Sequence, residues 1–367
     1  MKKVLIWLFV VVFAISFSFM GIGCKEEPGV IAETVTETVT ETATETVKVG
    51  EGEELTVVGK PLSEIKVGYI MPYLEGWFYY WDIGWKVKMR SENIYTEAIF
   101  TYWDPEADLQ AVRDFITKGF DMICLESASP DVVQSAAQIC NEANVPLIIE
   151  NTSIADGPGT VVADVEFDWV DAGRKIGTGI AENWPGVKIV EFQGGQGFWP
   201  VEGMIQGMDE IQEETGAFEV IQLEYNNDYS TEVTFNSMSA IVQAGTGFDC
   251  VFGGWQEGTE AIIEALKTNN VPMDAVVVIS SDGGPLDVQN FKDGELDGAI
   301  TYPVGFHAML VATIVIEYLK GNPIPKVFSP SIWCTQADYK EKLIDWEVDE
   351  SWLPIVEKYL QTGKLEK

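Results

Sequence analysis

Carboxylate, amide and aromatic side chains are the residues of this chain best suited to chemistry, and they recur directly after short apolar segments. Glu75 and Trp77 follow the first such segment, Glu150 and Asn151 the fourth, and Asp282 a later one. Carboxylates and amides hydrogen-bond hydroxyl groups, and aromatic rings cover the apolar faces of small cyclic solutes. These residue types predict the capture of a small polar solute.

Patterns that indicate catalysis are scarce. The only histidine is His307, and its apolar context predicts a core histidine or one at a helix N-terminus, not a general base. The segment QGGQG (193–197) predicts a tight turn, with anion binding at a helix N-terminus as the alternative. Glu150 and Asp282 could hydrolyse a glycoside if they faced each other across a sugar, or could simply bind its hydroxyls. We expect no enzyme activity, no cofactor and no metal site.

The elements that position these residues alternate between strand and helix. Val- and Ile-rich segments such as IKVGYIM (65–71) predict strands buried on both faces. Amphipathic segments lie between them, such as the helix predicted over 105–118 with Asp104 as its N-cap. About ten strands of this kind predict an α/β fold with two doubly wound sheets. Ligands bind beyond the carboxyl ends of parallel strands, so two facing half-sites would enclose one.

The segment MPYLEGWFYYWDIGW (71–85) holds seven aromatic residues in fifteen positions. Phe78, Trp81 and Trp85 share one face of a helix, which predicts that Trp81 and Trp85 pack in the core. Glu75 and Trp77 lie in the loop before that helix, with Phe78 at its start. We expect these last three residues to contact a ligand.

The net charge and the cysteines narrow the class of protein. Lys and Arg total 23 and Asp and Glu total 58, a formal charge of −35, which disfavours binding to nucleic acid or to anionic lipid. Cys124, Cys140, Cys250 and Cys334 show no metal-binding spacing and no CxxC motif. We expect four buried thiols, with a disulfide as the alternative.

The N-terminus predicts export. Lys2 and Lys3 precede an apolar run (4–20), and Cys24 follows it. The segment resembles a bacterial lipoprotein signal (1–23) that is cleaved before a lipidated Cys24, although Gly21 stands where that family usually has Leu. An uncleaved membrane anchor is the alternative. The Thr- and Glu-rich repeat that follows predicts a solvated tether over 24–62.

An ordered series of segments carries a further resemblance. IKVGYIMPYLEGWFYYWDIGW, then DLQAVRDFITKGFDMICLESASPDVVQSAAQICNEANVPLIIEN, then VVVISSDGGPLDVQNFKDGELDGAITYP resemble the periplasmic sugar-binding proteins of the type 1 solute-binding fold, the ribose and galactose group of ABC importers. The resemblance covers about 64–335. It implies two Rossmann-like lobes joined by a hinge of three segments, near Val165, Tyr302 and Ser331. The implied division is an N-terminal lobe (63–165 plus 302–330), a C-terminal lobe (166–301 plus 331–340) and an acidic extension (341–367), expected to pack back on the body through Leu343, Trp346, Trp352 and Ile355.

The resemblance also implies ligand contacts from both lobes. Gly84 matches a glycine of the family's first helix and supports the register. The positions that match the family's ligand contacts are Glu75, Trp77, Phe78, Glu150, Asn151, Trp199, Met204, Trp255, Gln256, Asp282 and Tyr302. The family's usual arginine is absent, which leaves open a nucleoside, a cyclitol or a cationic solute in place of ribose or galactose.

These observations predict a monomeric extracytoplasmic binding protein, tethered to the membrane. It would capture a small carbohydrate-like solute between two closing lobes and present the closed form to an ABC permease. A sensor for a membrane signalling partner is the alternative, and a glycoside-acting enzyme is less expected. The same fold occurs in sugar-responsive repressors, but the export signal and the acidic composition argue against that class.

Overall fold

Strands and helices alternate along the computed structural model, which describes residues 55–366. The predicted signal peptide, Cys24 and the repeat (33–47) lie outside the described residues. The strands are β1 (Lys66–Met71), β2 (Tyr95–Phe100), β3 (Met122–Leu125), β4 (Leu147–Glu150), β5 (Asp164–Val165), β6 (Val187–Gln193), β7 (Phe218–Tyr225), β8 (Cys250–Gly253), β9 (Val277–Asp282), β10 (Gly298–Thr301) and β11 (Ile332–Thr335). The α-helices are α1 (Gly76–Ser91), α2 (Pro105–Thr117), α3 (Pro130–Ala143), α4 (Trp169–Asn183), α5 (Trp199–Thr215), α6 (Thr231–Gln243), α7 (Gln256–Thr268), α8 (Pro285–Asp293), α9 (Val304–Leu319), α10 (Tyr339–Lys342) and α11 (Leu353–Thr362).

Local sequence signals explain where some of these helices and strands begin and end. The Asp104 side chain accepts hydrogen bonds from two backbone N–H groups in the first turn of α2, as predicted. The Val-rich segment GTVVADV (159–165) has the pattern of a full strand, but only Asp164–Val165 pairs as one. The Asn141 side chain hydrogen-bonds both the N–H and the C=O of Thr160, so a side chain replaces the strand partner there.

The strands form two sheets with the same order at their centres. The first sheet runs β2-β1-β3-β4-β5 and the second runs β11-β10-β9-β8-β6-β7. All pairs are parallel except β10 with β11. Strand order reverses between β1 and β3 in the first sheet and between β6 and β8 in the second, and such reversals mark where ligands bind in doubly wound folds. We call the two sheets with their helices the first and second lobe.

The chain passes between the lobes more often than the sequence predicts. It leaves the first sheet after β5, returns after β10 to place α9 beside α1, and reaches the second sheet again at β11. The backbone N–H of Ser329 donates to the Glu166 carbonyl at 2.8 Å and joins two of these crossings. A fourth crossing follows α10, because α11 packs on α9 of the first lobe.

The C-terminal segment is part of the body, as predicted. Trp346 and Trp352 are buried, and Leu343 and Ile355 are partly buried against the core. Tyr339 stacks on Phe291 of the second lobe at 4.6 Å. The apolar residues of this segment therefore span both cores and do not cap one alone.

The residues just before β1 require a correction to the predicted tether. Leu55 and Pro61 form a β-bridge, and the Val57 N–H donates to the Leu319 carbonyl at 2.9 Å. Val58 and Leu62 pack on the core of the first lobe. Residues 55–62 thus belong to the body, because their backbone and apolar side chains have partners on α9 and the sheet.

Helix α9 packs closely against α1 in the first lobe. Nearly all of its residues are buried, and it packs against α1. A side chain on Gly84 would start 2.1 Å from the Gly305 carbonyl oxygen, so α1 needs glycine where it crosses α9. A side chain on Gly305 would start 2.4 Å from the Trp346 carbonyl oxygen of the C-terminal segment. No described helix is long and apolar enough to cross a membrane. The four described cysteines are buried free thiols, and Trp81 and Trp85 are fully buried, as expected.

Candidate functional site

The loops at the carboxyl ends of the strands face each other across the two lobes. A side chain on Gly76 of the first lobe would start 2.9 Å from Glu257 Oε1 of the second. The rings of Trp103 and Phe198 also meet across the lobes, with centroids 5.5 Å apart. We call the space between these loops the interlobe cleft. The lobes therefore lie close together at the two points of strand-order reversal.

Aromatic rings line the interlobe cleft from both sides. In the first lobe, Phe78 contacts the rings of both Tyr73 and Trp103 edge to face. In the second lobe, Tyr229 contacts Trp255 edge to face at 5.3 Å. Rings arranged in this way offer flat apolar surface to a small cyclic ligand.

A buried carboxyl pair lies at the ends of β3 and β4. The Glu126 and Glu150 carboxyls lie close to each other. Burial raises the pKa of the Glu126 carboxyl well above its usual range, and the neighbouring Glu150 adds to the rise. Glu150 Oε2 also accepts a hydrogen bond from Trp81 Nε1 at 2.7 Å and lies 2.8 Å from His307 Nε2. In the first lobe, Trp81 and His307 thus fix Glu150 beside Glu126.

The predicted interpretation of His307 as a core histidine is confirmed. It is fully buried at the start of α9, and its Nδ1 lies 2.6 Å from Ser329 Oγ. Its other ring nitrogen faces Glu150. The imidazole therefore links the carboxyl pair to the crossing segment that contains Ser329.

Asp282 holds the corresponding place in the second lobe. Its φ of 98° lies in a region that side chains rarely adopt. Its Oδ2 accepts a hydrogen bond from the Gln256 N–H at 3.1 Å. Burial raises the pKa of Asp282 well above its usual range, and Glu257 and Asp287 add to the rise. Strain of this kind persists where the surrounding structure imposes it, and it clusters at binding sites.

Several buried polar atoms near the interlobe cleft lack a hydrogen-bond partner among the described residues. They are Asn151 Oδ1, Gln193 Oε1, Trp103 Nε1 and Trp255 Nε1. A buried polar atom left unpaired costs about 1–3 kcal/mol. Atoms from both lobes would gain partners if a polar ligand occupied the cleft.

The three ligand contacts predicted at the start of α1 lie in different environments. Glu75 is exposed at the start of α1, and Phe78 is buried. The Trp77 ring contacts three rings, those of Phe167, Tyr302 and Trp346, at 5.6–5.8 Å. Trp77 therefore belongs to an aromatic cluster between the crossing segments as well as to the edge of the cleft.

Three further predicted residues lie below or beside the interlobe cleft. The Tyr302 hydroxyl donates to Met204 Sδ at 3.3 Å, and both side chains are buried. Trp199 Nε1 donates to Glu166 Oε2 at 2.8 Å. Trp199 also lines an open surface cavity of about 460 Å³ along α5. Of these three, Tyr302 contacts the Trp77 ring, at 5.8 Å between ring centroids.

Gln256 and the QGGQG loop shape the wall of the second lobe. Gln256 Oε1 accepts from the Leu286 N–H at 3.2 Å, so this side chain braces the start of α8. A side chain on Gly194 would start 2.3 Å from the Tyr229 ring. The Gly197 N–H donates to Glu202 Oε1 at 2.7 Å, so a carboxylate of the chain already occupies the start of α5. The loop is the predicted tight turn.

The sequence prediction missed some residues of the interlobe cleft. Trp103 and Tyr229 have φ angles of 59° and 52°, a conformation that no sequence pattern announces for aromatic residues. Tyr73 follows β1 directly, and its place before Glu75 could have indicated it. Glu126 directly follows β3, so the sequence marks it as a polar residue at a strand end, although it is not among the predicted ligand contacts. Within residues 55–366, no cluster of three or more His, Cys, Asp or Glu side chains could hold a metal ion.

Comparison with known proteins defines the class of protein. The family model described as periplasmic binding protein domain matches residues 67–323. The chain belongs to this family, whose members are binding proteins and not enzymes. Its two-lobed α/β architecture is the type 1 periplasmic binding protein fold, as predicted.

Individual proteins of known ligand share low sequence identity with this chain. The chain is 26% identical over 200 residues to the ribose import binding protein RbsB of Escherichia coli (strain K12); the match covers 54% of this chain and 65% of that protein, less than two thirds of its length. A solved ABC transporter solute-binding protein of Bacillus halodurans C-125 with bound myo-inositol has a TM-score of 0.70 and 19% identity, covering 76% of this chain and 96% of that one. The binding protein of the arabinose ABC transporter of Shewanella sp. ANA-3, bound to L-arabinofuranose, has a TM-score of 0.70 and 18% identity, covering 82% and 100%.

Proposed function

We propose that this protein is an extracytoplasmic solute-binding protein that encloses one small carbohydrate-like ligand in the interlobe cleft. The unpaired buried atoms on both sides of the cleft carry this proposal, because a polar ligand would supply the partners they lack. The relatives named above bind ribose, myo-inositol and arabinofuranose, which supports a polyhydroxylated ring as the ligand.

The cleft residues divide into those that contact the ligand and those that shape the site. Trp255, Asp282 and Asn151 have polar groups at the cleft and are the contacts of this proposal. Tyr302, Met204 and Gln256 support them from below, since their polar atoms already have partners. Glu150 acts with Glu126 as one acid pair.

The proposed cellular role extends to the parts of the chain outside the described residues. Lipidation of Cys24 would tether the protein to the membrane, with 24–54 as the tether. The lobes would be 63–165 plus 302–330 and 166–301 plus 331–340. The closed form would dock on an ABC permease as a monomer. A permease recognises the loaded protein through the closed arrangement of the lobes.

Calorimetric titration of the purified chain lacking 1–23 against monosaccharides, cyclitols and nucleosides tests the ligand class. We expect heat of binding with a member of the first two groups and compaction in small-angle X-ray scattering when it is added. Binding by nucleosides alone would contradict the proposal, as would turnover of a glycoside.

A matched pair of variants tests the location. Asn151→Ala removes an unpaired buried acceptor at the cleft and should weaken binding. Asn322→Ala removes an exposed asparagine after α9 and should leave the affinity unchanged. Equal affinities of the two variants would place the ligand elsewhere.

A further inference from the structure

The charges around the interlobe cleft are unbalanced. Asp282 and Glu257 lie on the second lobe, and the pair of Glu126 and Glu150 lies on the first. Gln256 donates to Asp282 Oδ2 at 3.1 Å and to Glu257 Oε1 at 3.3 Å, and the same Glu257 oxygen faces Gly76 of the first lobe. Glu126, Glu257 and Asp282 all act on the Tyr73 hydroxyl. Carboxyls of both lobes therefore converge on one small region.

No described lysine or arginine balances these acids. Of the described Lys and Arg side chains, those that form ion pairs do so with acids away from the interlobe cleft, such as Lys86 with Asp82 and Lys267 with Glu295. Only other acids and hydrogen-bond donors act on Asp282 and Glu126. A buried site with several carboxyls and no lysine or arginine beside them favours a positive charge that enters it.

The remaining groups of the cleft also suit a cation. Asn151 Oδ1 and Gln193 Oε1 are buried acceptors without partners among residues 55–366, and the Asn151 side chain is 2% exposed. An ammonium group has three donors and no acceptor. The rings of Tyr73, Trp103, Tyr229 and Trp255 add negative π faces, which attract cations at short range. The unpaired acceptors, the aromatic rings and the carboxyls of the cleft thus all favour a positively charged group.

We propose that the ligand is a polyhydroxylated ring that carries a protonated amine, such as an amino sugar or an aminocyclitol, with the amine enclosed by Asp282, Glu257 and the aromatic rings. The proposal rests on the proposed function, since it assigns a charge to the ligand of that same cleft. Hydroxyl groups of the ring would satisfy Trp255 Nε1 and the acid pair, while the ammonium group would neutralise the second-lobe carboxyls.

Matched ligands separate the effect of charge from the effect of shape. Calorimetric titration would compare glucose, galactose, mannose and myo-inositol with their amino counterparts and with the neutral N-acetylated forms. In the series that binds, we expect the amine to bind about 10- to 100-fold more tightly than the alcohol, because a hydrogen bond to a charged group contributes more than a neutral one. The N-acetylated form should lose that gain.

Two further outcomes are decisive. If the neutral ring binds more tightly than its amine in every series that binds, the inference is overturned and the proposed function stands. If neither class binds, the proposed function fails, and the inference fails with it.

Variants then locate the charge. Asp282→Asn keeps the shape and tolerates the same φ angle, so it should reduce the preference for the amine by about tenfold while affecting the neutral ring less. Glu257→Gln is a second variant with the same expectation, and thermal unfolding checks that both fold. Glu264→Gln, on the exposed face of α7, should keep the full preference. A preference that survives both cleft variants would overturn the inference.

Discussion

The two acidic centres that face each other across the interlobe cleft are held in different ways. Glu150 of the first lobe is fully buried and fixed by side chains, with Trp81 and His307 on one of its oxygens. Asp282 of the second lobe is held by its backbone, with a φ of 98° and one hydrogen bond from the Gln256 N–H. The Glu150 carboxyl is therefore fixed by side chains from distant parts of the chain, whereas one backbone N–H binds the Asp282 carboxyl.

This difference has a consequence for closure. His307 connects Glu150 to Ser329, whose N–H binds the Glu166 carbonyl between the lobes. Changes at the first centre should therefore alter stability and lobe geometry together. Changes at the second centre should alter affinity with less effect on folding.

The largest expected effect follows from breaking the first centre. His307→Ala removes a partner from Glu150 and from Ser329 and should lower the free energy of unfolding by about 2–6 kcal/mol, because each buried polar group left without a partner costs about 1–3 kcal/mol. Urea unfolding followed by circular dichroism measures it. Ser329→Ala removes one neutral hydrogen bond and should cost about 1 kcal/mol. Equal losses in the two variants would show that the imidazole does not hold the centre together.

A buried carboxyl of the second lobe gives a pH-dependent test. Burial raises the pKa of Glu191 to about 7, and Gln193 Nε2 donates a hydrogen bond to the Glu191 carboxyl at 2.7 Å. Because the folded pKa exceeds the unfolded one, Glu191 lowers stability progressively from about pH 4.5 to 7. Glu191→Gln should therefore gain about 1–3 kcal/mol at pH 8 and little at pH 4.5. Urea titrations at both pH values measure this, and a gain independent of pH would contradict it.

The second centre should respond through affinity. Trp255→Phe keeps a ring against Tyr229 but removes the indole N–H, which has no partner among the described residues. We expect about tenfold weaker ligand binding, the value of one hydrogen bond, with an unchanged melting temperature. Trp333→Phe removes another unpaired indole N–H away from the cleft and serves as the matched control. Weaker binding by the control alone would contradict the proposed site.

The smallest expected effect concerns the fourth crossing. Trp346 contacts the rings of Trp77 and Tyr80, and its Nε1 donates to the Asp282 carbonyl at 3.3 Å, so it touches both lobes. Trp346→Phe keeps most of the packing and loses this hydrogen bond, which should weaken binding by a few-fold at about 0.5–1 kcal/mol. Scattering should show a more open ligand-free form. An unchanged ligand-free form would indicate that Trp346 does not hold the lobes together.

Much of the fold follows from local patterns. The buried strands, the cap of α2, and the core positions of Trp81 and Trp85 agree with the sequence because burial and capping depend on neighbouring residues. The candidate site was predicted less completely. Tyr229 and Trp103 lie at the cleft because their backbones adopt positive φ angles. Glu126 lies beside Glu150 only because β3 and β4 are neighbours in the sheet.

By itself, the sequence determined the alternation of strand and helix, the two-lobed class of fold and the strand ends where a ligand would bind, since these depend on periodicity and on the rule for parallel sheets. Only the tertiary structure decided that the Glu150 carboxyl contacts His307, that Trp77 packs between the crossing segments, and that the C-terminal segment joins both lobes. Those contacts join residues far apart in the chain. Their energy depends on burial and distance in the folded molecule, which no local pattern encodes.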